Sequence, residues 1–179
     1  MNINKTKFHI PFSWYSVIST FFYIGKLPAS GTFASIATYP IFYYILRYSS
    51  SFYRAKITLL LITILISAIG LFAITKFQKT THTHDHRYIV IDEVIGQLLT
   101  LFFSLDWLLN ISQLIPLNIT ENYLSFFLAL LSFRYFDIKK PFIIHSINSK
   151  YKGSFSVILD DVLAAIFASL IIYIINLLI

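Results

Sequence analysis

Between Lys56 and Lys76 the chain runs for nineteen residues, Ile57 to Thr75, without a charged side chain. That length matches the roughly 20 apolar residues an α-helix needs to cross a hydrocarbon core about 30 Å thick. The C-terminal segment has the same character, since no charged residue occurs from Val162 to Ile179. In lipid every backbone N–H and C=O must find its partner within the spanning element, so both runs read as helices. A content of 57% hydrophobic and 12% charged residues extends that conclusion to the whole chain, which reads as an integral membrane protein.

Six apolar segments follow one another: Phe12–Ile24, Thr32–Tyr48, Ile57–Lys76, Tyr88–Leu105, Asn122–Tyr135 and Val157–Ile179. The expected architecture is an all-α, multihelical, polytopic membrane bundle of about six helices forming one domain over residues 1–179. Only the third and sixth segments reach spanning length unaided. The first is expected to lie at the interface or to re-enter, and the fourth and fifth to pack as shorter, partly buried helices with wet ends. Residues 1–11 carry Lys5 and Lys7, but no small-residue cleavage site follows the first apolar run, so it is not read as a cleavable signal.

The net charge of +6 would suggest a nucleic-acid partner in a soluble protein, yet the basic residues stand singly or in pairs between apolar runs. They read as topology charges, and no nucleic acid is expected. No Lys or Arg occurs from Asp106 to Phe133, which places that stretch outside. Alternation then puts Lys26, the Lys76–Arg87 loop and the Arg134–Lys152 segment on the cytoplasmic side, with Arg47, Arg54 and Lys56 as exceptions. With no cysteine, disulfides, thiolate metal sites and thiol nucleophiles are excluded.

The chain has eight acidic residues, and five fall in three clusters: Asp92-Glu93, Asp137 and Asp160-Asp161. A carboxylate inside a spanning run costs about 2.5–3.5 kcal/mol at its centre, so such residues usually serve a function. Asp92 and Glu93 open an apolar helix, where hard oxygen ligands suit Mg²⁺, and Gly96 leaves room one turn on. Arg134 and Asp137 share a helix face at i and i+3, followed by Lys140 and Pro141. This combines phosphate donors with a carboxylate that holds metal or orients Arg134. Asp160 and Asp161 enter the last apolar helix with no cation after them, so a metal or a cation from another segment must meet their charge. Residues 25–32, Gly-Lys-Leu-Pro-Ala-Ser-Gly-Thr, form a turn opening a helix. There backbone N–H groups, Lys26 and Thr32 can face an anion, although the order is not that of a P-loop. His82-Thr83-His84-Asp85-His86 invites a zinc reading, but alternate residues of a hydrophilic loop point apart and no second half-site lies near, so the loop is read as solvated and pH-sensitive.

In this order the four blocks resemble the bacterial phosphatidylglycerophosphatase A family of membrane lipid phosphatases. The family pattern G-K-x-P-x-A-P-G-T-x-G-S is similar to residues 25–35, with one residue missing and Ala34 in place of a glycine. D-P-x-x-I-V-x-D-E-x-x-G is similar to residues 85–96, with His86 replacing the proline. R-x-F-D-I-x-K-P is matched by Arg134, Phe136, Asp137, Ile138, Lys140 and Pro141. G-x-x-G-I-x-x-D-D-V-x-A-G is similar to residues 153–165, with Ser156 and Ala165 in place of glycines. The resemblance implies Mg²⁺-dependent hydrolysis of phosphatidylglycerophosphate, drawn from the cytoplasmic leaflet of the bacterial inner membrane, to phosphatidylglycerol and phosphate. It implies catalytic roles for Asp92, Glu93, Asp137, Asp160 and Asp161. Asp92, Glu93, Asp160 and Asp161 would hold the metal, and Lys26, Thr32, Arg134 and Lys140 the phosphate. Attack by an activated water and a covalent aspartyl phosphate both remain open. A small ion-coupled transporter is the alternative. It would stagger its carboxylates through the bilayer, whereas the enzyme needs them at one face.

Overall fold

The computed structural model describes residues 10–83, 86–114, 121–140 and 153–179, and all secondary structure among them is helical. In chain order the helices are α1 (Trp14–Ser19), a 3₁₀ turn (Ile24–Lys26), α2 (Ser30–Ile36), α3 (Tyr39–Tyr48), α4 (Phe52–Thr81), α5 (Ile91–Leu114), α6 (Glu121–Lys139) and α7 (Ser154–Leu178). Three of them, α4, α5 and α7, are long and apolar enough to cross a membrane. At 30 residues α4 rises about 45 Å, so its ends reach beyond the hydrocarbon core. Its first turn is capped by the Ser51 hydroxyl, which accepts from the Arg54 N–H at 3.3 Å.

The fourth apolar segment differs from its sequence expectation. It was expected to be short and to end at Leu105, but α5 continues to Leu114 and is the axis of the bundle, packed against α2, α4, α6 and α7. Ser104, Asp106 and Ser112 ended the apolar pattern, and the fold gives each of them a partner. Ser104 donates to the Thr100 carbonyl, and Ser112 donates to the Leu108 carbonyl at 2.7 Å. Asp106 forms an ion pair with Lys56 of α4. Packing also covers α5 deeply, with Leu98, Leu101, Leu105 and Leu108 fully buried along it. A buried central helix tolerates polar residues that a lipid-facing one would not.

The second segment is two helices rather than one. α2 ends at Ile36, and α3 begins at Tyr39 with Pro40 in its first turn. Proline has no N–H to give and clashes with a preceding carbonyl, so the helix restarts where that donor is not needed. The first segment yields only the six-residue α1 before the chain turns back, short of a span as expected. Phe21, Phe22 and Tyr23 then follow one another in the left-handed region, with φ of 42°, 56° and 64°. α6 stops at Lys139, two residues before Pro141. A second apolar cluster, Phe133 with Ala164, Ala165 and Ala168, holds α6 against α7. The alanines let the two helices approach closely, as small residues do in membrane interfaces.

Candidate active site

Asp92 and Glu93 lie in the first turn of α5, Asp137 near the end of α6, and Asp160 and Asp161 within the first two turns of α7. The antiparallel course of these helices therefore gathers all five carboxylates at one end of the bundle. Lys56 and Asp106 lie well away from them, about 20 Å further along α5 by helical rise. Staggering through the bilayer, the mark of the transporter alternative, is absent among these residues.

Carboxylate oxygens of Asp92, Glu93 and Asp161 lie within 4.8 Å of one another. With Asp137, Asp160, Lys140, His86 and Arg87, these residues line a small pocket of about 160 Å³. Glu93 Oε2 and Asp161 Oδ2 are buried there without a hydrogen-bond partner. Like charges this close, shielded from water, repel strongly unless a cation stands between them. All the donors are hard oxygens, which suits Mg²⁺ over softer metals.

The two remaining carboxylates face cations. Arg134 Nη1 donates to Asp137 Oδ2 and lies 4.0 Å from Glu93 Oε1, while its Nε is buried with no acceptor. Lys140 donates to Asp160 Oδ2 at 3.2 Å. Burial disfavours the Lys140 ammonium, but attraction to Asp160 and Asp161 and the hydrogen bond to Asp160 outweigh it and hold its pKa above the ordinary lysine value. Asp160 therefore sits in the pocket as the partner of Lys140, outside the close trio, although the sequence placed it among the metal ligands.

Beside this pocket opens a larger polar groove of about 620 Å³, lined by residues 25–31 together with Arg87, Tyr88, Glu93 and Arg134. Arg87 and Glu93 line both cavities, so the two adjoin. Lys26 lies over the Tyr23 ring at 4.5 Å and borders the groove. Thr32 is not among the lining residues.

Two glycines make the arrangement sterically possible. A Cβ on Gly31 would lie 2.3 Å from Glu93 Oε1 and 2.9 Å from both Arg134 terminal nitrogens. A Cβ on Gly96 would lie 2.4 Å from the Phe133 ring and 3.1 Å from the Asp161 Cβ, so this glycine lets α6 and α7 close on α5. Gly31→Ala is expected to displace the tips of Glu93 and Arg134 while leaving the backbone in place. Its kcat/KM should fall by about a hundredfold with the thermal unfolding temperature in detergent little changed.

The comparisons with known proteins accord with this geometry. The family model described as Phosphatidylglycerophosphatase A matches residues 17–176. The chain belongs to the phosphatidylglycerophosphatase A family. It is 32% identical over 150 residues to the Phosphatidylglycerophosphatase A of Haemophilus influenzae, covering 82% of this chain and 78% of that protein. No solved structure matches. Membership makes the chain an enzyme, a membrane phosphatase by family, as its motifs implied.

Of the residues singled out in the sequence, the fold brings together Asp92, Glu93, Asp137, Asp160, Asp161, Arg134 and Lys140, with Lys26 across the adjoining groove. Pro141, His84 and Asp85 lie outside the described residues. Sequence reasoning missed Arg87 and His86. Arg87 was read as a topology charge and His86 as part of a solvated loop, but both line the acidic pocket. The loop is held there by backbone hydrogen bonds, Ile89 N–H to the His86 carbonyl at 2.8 Å and Val90 N–H to the Ser19 carbonyl at 2.9 Å. The available signal was position, since both residues fall inside the block that ends in Asp92-Glu93.

Proposed function

We propose that this protein hydrolyses the terminal phosphomonoester of phosphatidylglycerophosphate, giving phosphatidylglycerol and inorganic phosphate, in a Mg²⁺-dependent reaction. The observation that carries the reading is the junction of the carboxylate trio with a cation-bordered groove at a shared wall, Glu93 and Arg87. Asp92, Glu93 and Asp161 would hold Mg²⁺, which when bound neutralises phosphate charge and activates water. Arg134 offers a planar fork to two phosphate oxygens, and its bond to Asp137 fixes the plane of that fork. Arg87 and Lys26 add positive charge along the groove. In the reaction the bond from phosphorus to the glycerol oxygen breaks, a bond from phosphorus to a water oxygen forms, and the water's proton ends on the released glycerol hydroxyl. Catalysis is then mostly positioning and charge matching, which the carboxylate-held Arg134 and Lys140 supply without reorganising.

Charge is what supports a side of the membrane. The site end carries Lys26, Arg87, Arg134, Lys139 and Lys140, which supports a cytoplasmic orientation and a substrate drawn from the cytoplasmic leaflet of a bacterial inner membrane. The test is phosphate release from phosphatidylglycerophosphate by the purified, detergent-solubilised protein. Activity is expected to vanish after chelation and to return on adding Mg²⁺ but not Na⁺. Full activity in excess chelator would defeat the metal dependence, and no release in Mg²⁺ would defeat the substrate.

A further inference from the structure

The break between α2 and α3 leaves an apolar groove of about 720 Å³ against α6, bordered by Ile36, Ala37 and Pro40 on one side and Tyr123, Phe127 and Leu130 on the other. Two helices lead into it from the catalytic end. On α2, Gly31 lines the polar groove with Arg134 and Glu93, and Ile36 lies about 7 Å deeper along the same helix. On α6, Arg134 reaches the site, and Leu130 lies one turn, about 6 Å, deeper. From Leu130 the groove follows α6 for about 10 Å more, to Tyr123. The polar cavity includes Gly31 and Arg134 and the apolar one Ile36 and Leu130, so the two follow each other along α2 and α6. Phe127 and Tyr123 stand more than half exposed beside the groove, and Ile36 is nearly as open, so a ligand can enter sideways.

We propose that this groove is the acyl-chain subsite of the enzyme, holding one hydrocarbon chain of the lipid whose phosphate lies between Lys26 and Arg134. The inference rests on the phosphatase reading above. The order of chemistry along the seam, phosphate donors first and aliphatic and aromatic walls one turn deeper, is the order of a phospholipid entering from one leaflet. Burial of methylenes against Ile36, Ala37 and Leu130 selects a lipid over a free phosphomonoester, because apolar contact is roughly proportional to the chain length covered. The subsite therefore acts on KM more than on kcat, with the chain anchored away from the reacting atoms.

The experiment compares phosphatidylglycerophosphate bearing sixteen-carbon chains with the same lipid bearing six-carbon chains, in mixed micelles with Mg²⁺, for the wild type and for Ala37→Trp and Ile36→Trp, which fill the groove from two positions. For the sixteen-carbon lipid, KM as a mole fraction is expected to rise about tenfold in each variant with kcat changed less than about twofold. For the six-carbon lipid, whose chains reach only the near edge, both constants should stay within about twofold of wild type. Equal losses on both lipids would overturn the proposal by pointing to a general packing defect. Unchanged KM on both would overturn it by leaving the groove to bulk membrane lipid, and a shift in oligomeric state with no KM effect would assign it to a second copy of the chain. A wild type that releases phosphate from neither lipid would fail the phosphatase reading itself, and the subsite with it.

Discussion

Asp161→Asn is expected to lower kcat by at least about a thousandfold while leaving the protein as stable as the wild type or more so. Asp161 is 3% exposed, lies two turns into an apolar spanning helix, and its Oδ2 has no hydrogen-bond partner. If the carboxylate served the fold, removing it would break a contact and destabilise the bundle. If it serves a cation, the amide keeps the shape and removes a buried charge that the unliganded protein must otherwise accommodate. The two roles therefore move the unfolding temperature and the turnover in different combinations. Measured kcat and thermal unfolding in the same detergent separate them, and a large loss of stability with partial activity would assign Asp161 to the fold.

Arg134→Lys is expected to lower kcat/KM by about a hundredfold, despite keeping the charge. The guanidinium is engaged on one edge by Asp137 and stands 4.0 Å from Glu93. A lysine offers one compact charge in place of a planar fork, so it cannot hold Asp137 and two phosphate oxygens in one plane. The loss should fall mainly on kcat, because the fork must match the equatorial oxygens as the phosphoryl group flattens in the transition state. Near-wild-type activity of Arg134→Lys would mean that the residue supplies only net charge.

The helical class and the site carboxylates were legible in the sequence for the same physical reason: lipid punishes charge, so the few charges that persist in apolar runs stand out. Asp92, Glu93, Asp137, Asp160 and Asp161 converge as expected because α5 and α7 bring their N-terminal ends, and α6 its C-terminal end, to one side of the bundle. What sequence patterning cannot show is burial by other helices. The continuation of α5 past Leu105 was hidden because Ser104, Asp106 and Ser112 look like an exit from the membrane until Lys56 and the α5 carbonyls meet them. Arg87 and His86 were hidden for a related reason. A polar stretch reads as solvated until backbone bonds such as Val90 N–H to the Ser19 carbonyl fix the chain just after it, with His86 and Arg87 in the pocket wall. The split of the carboxylates into a trio and a Lys140-bound Asp160 depends on pairings of α7 with α5 and with Lys140 just past α6, which spacing along any one helix does not encode.

The central claim is that Asp92, Glu93 and Asp161 form a divalent-cation site beside the phosphate groove. Mn²⁺ is a paramagnetic stand-in for Mg²⁺, and its binding to the purified protein can be followed by electron paramagnetic resonance in the absence of substrate. The wild type should take up Mn²⁺ and release it on adding excess Mg²⁺, while Asp161→Asn, folded to the same extent, should leave the Mn²⁺ signal that of the free aqueous ion. Equal Mn²⁺ uptake by wild type and Asp161→Asn would contradict the account.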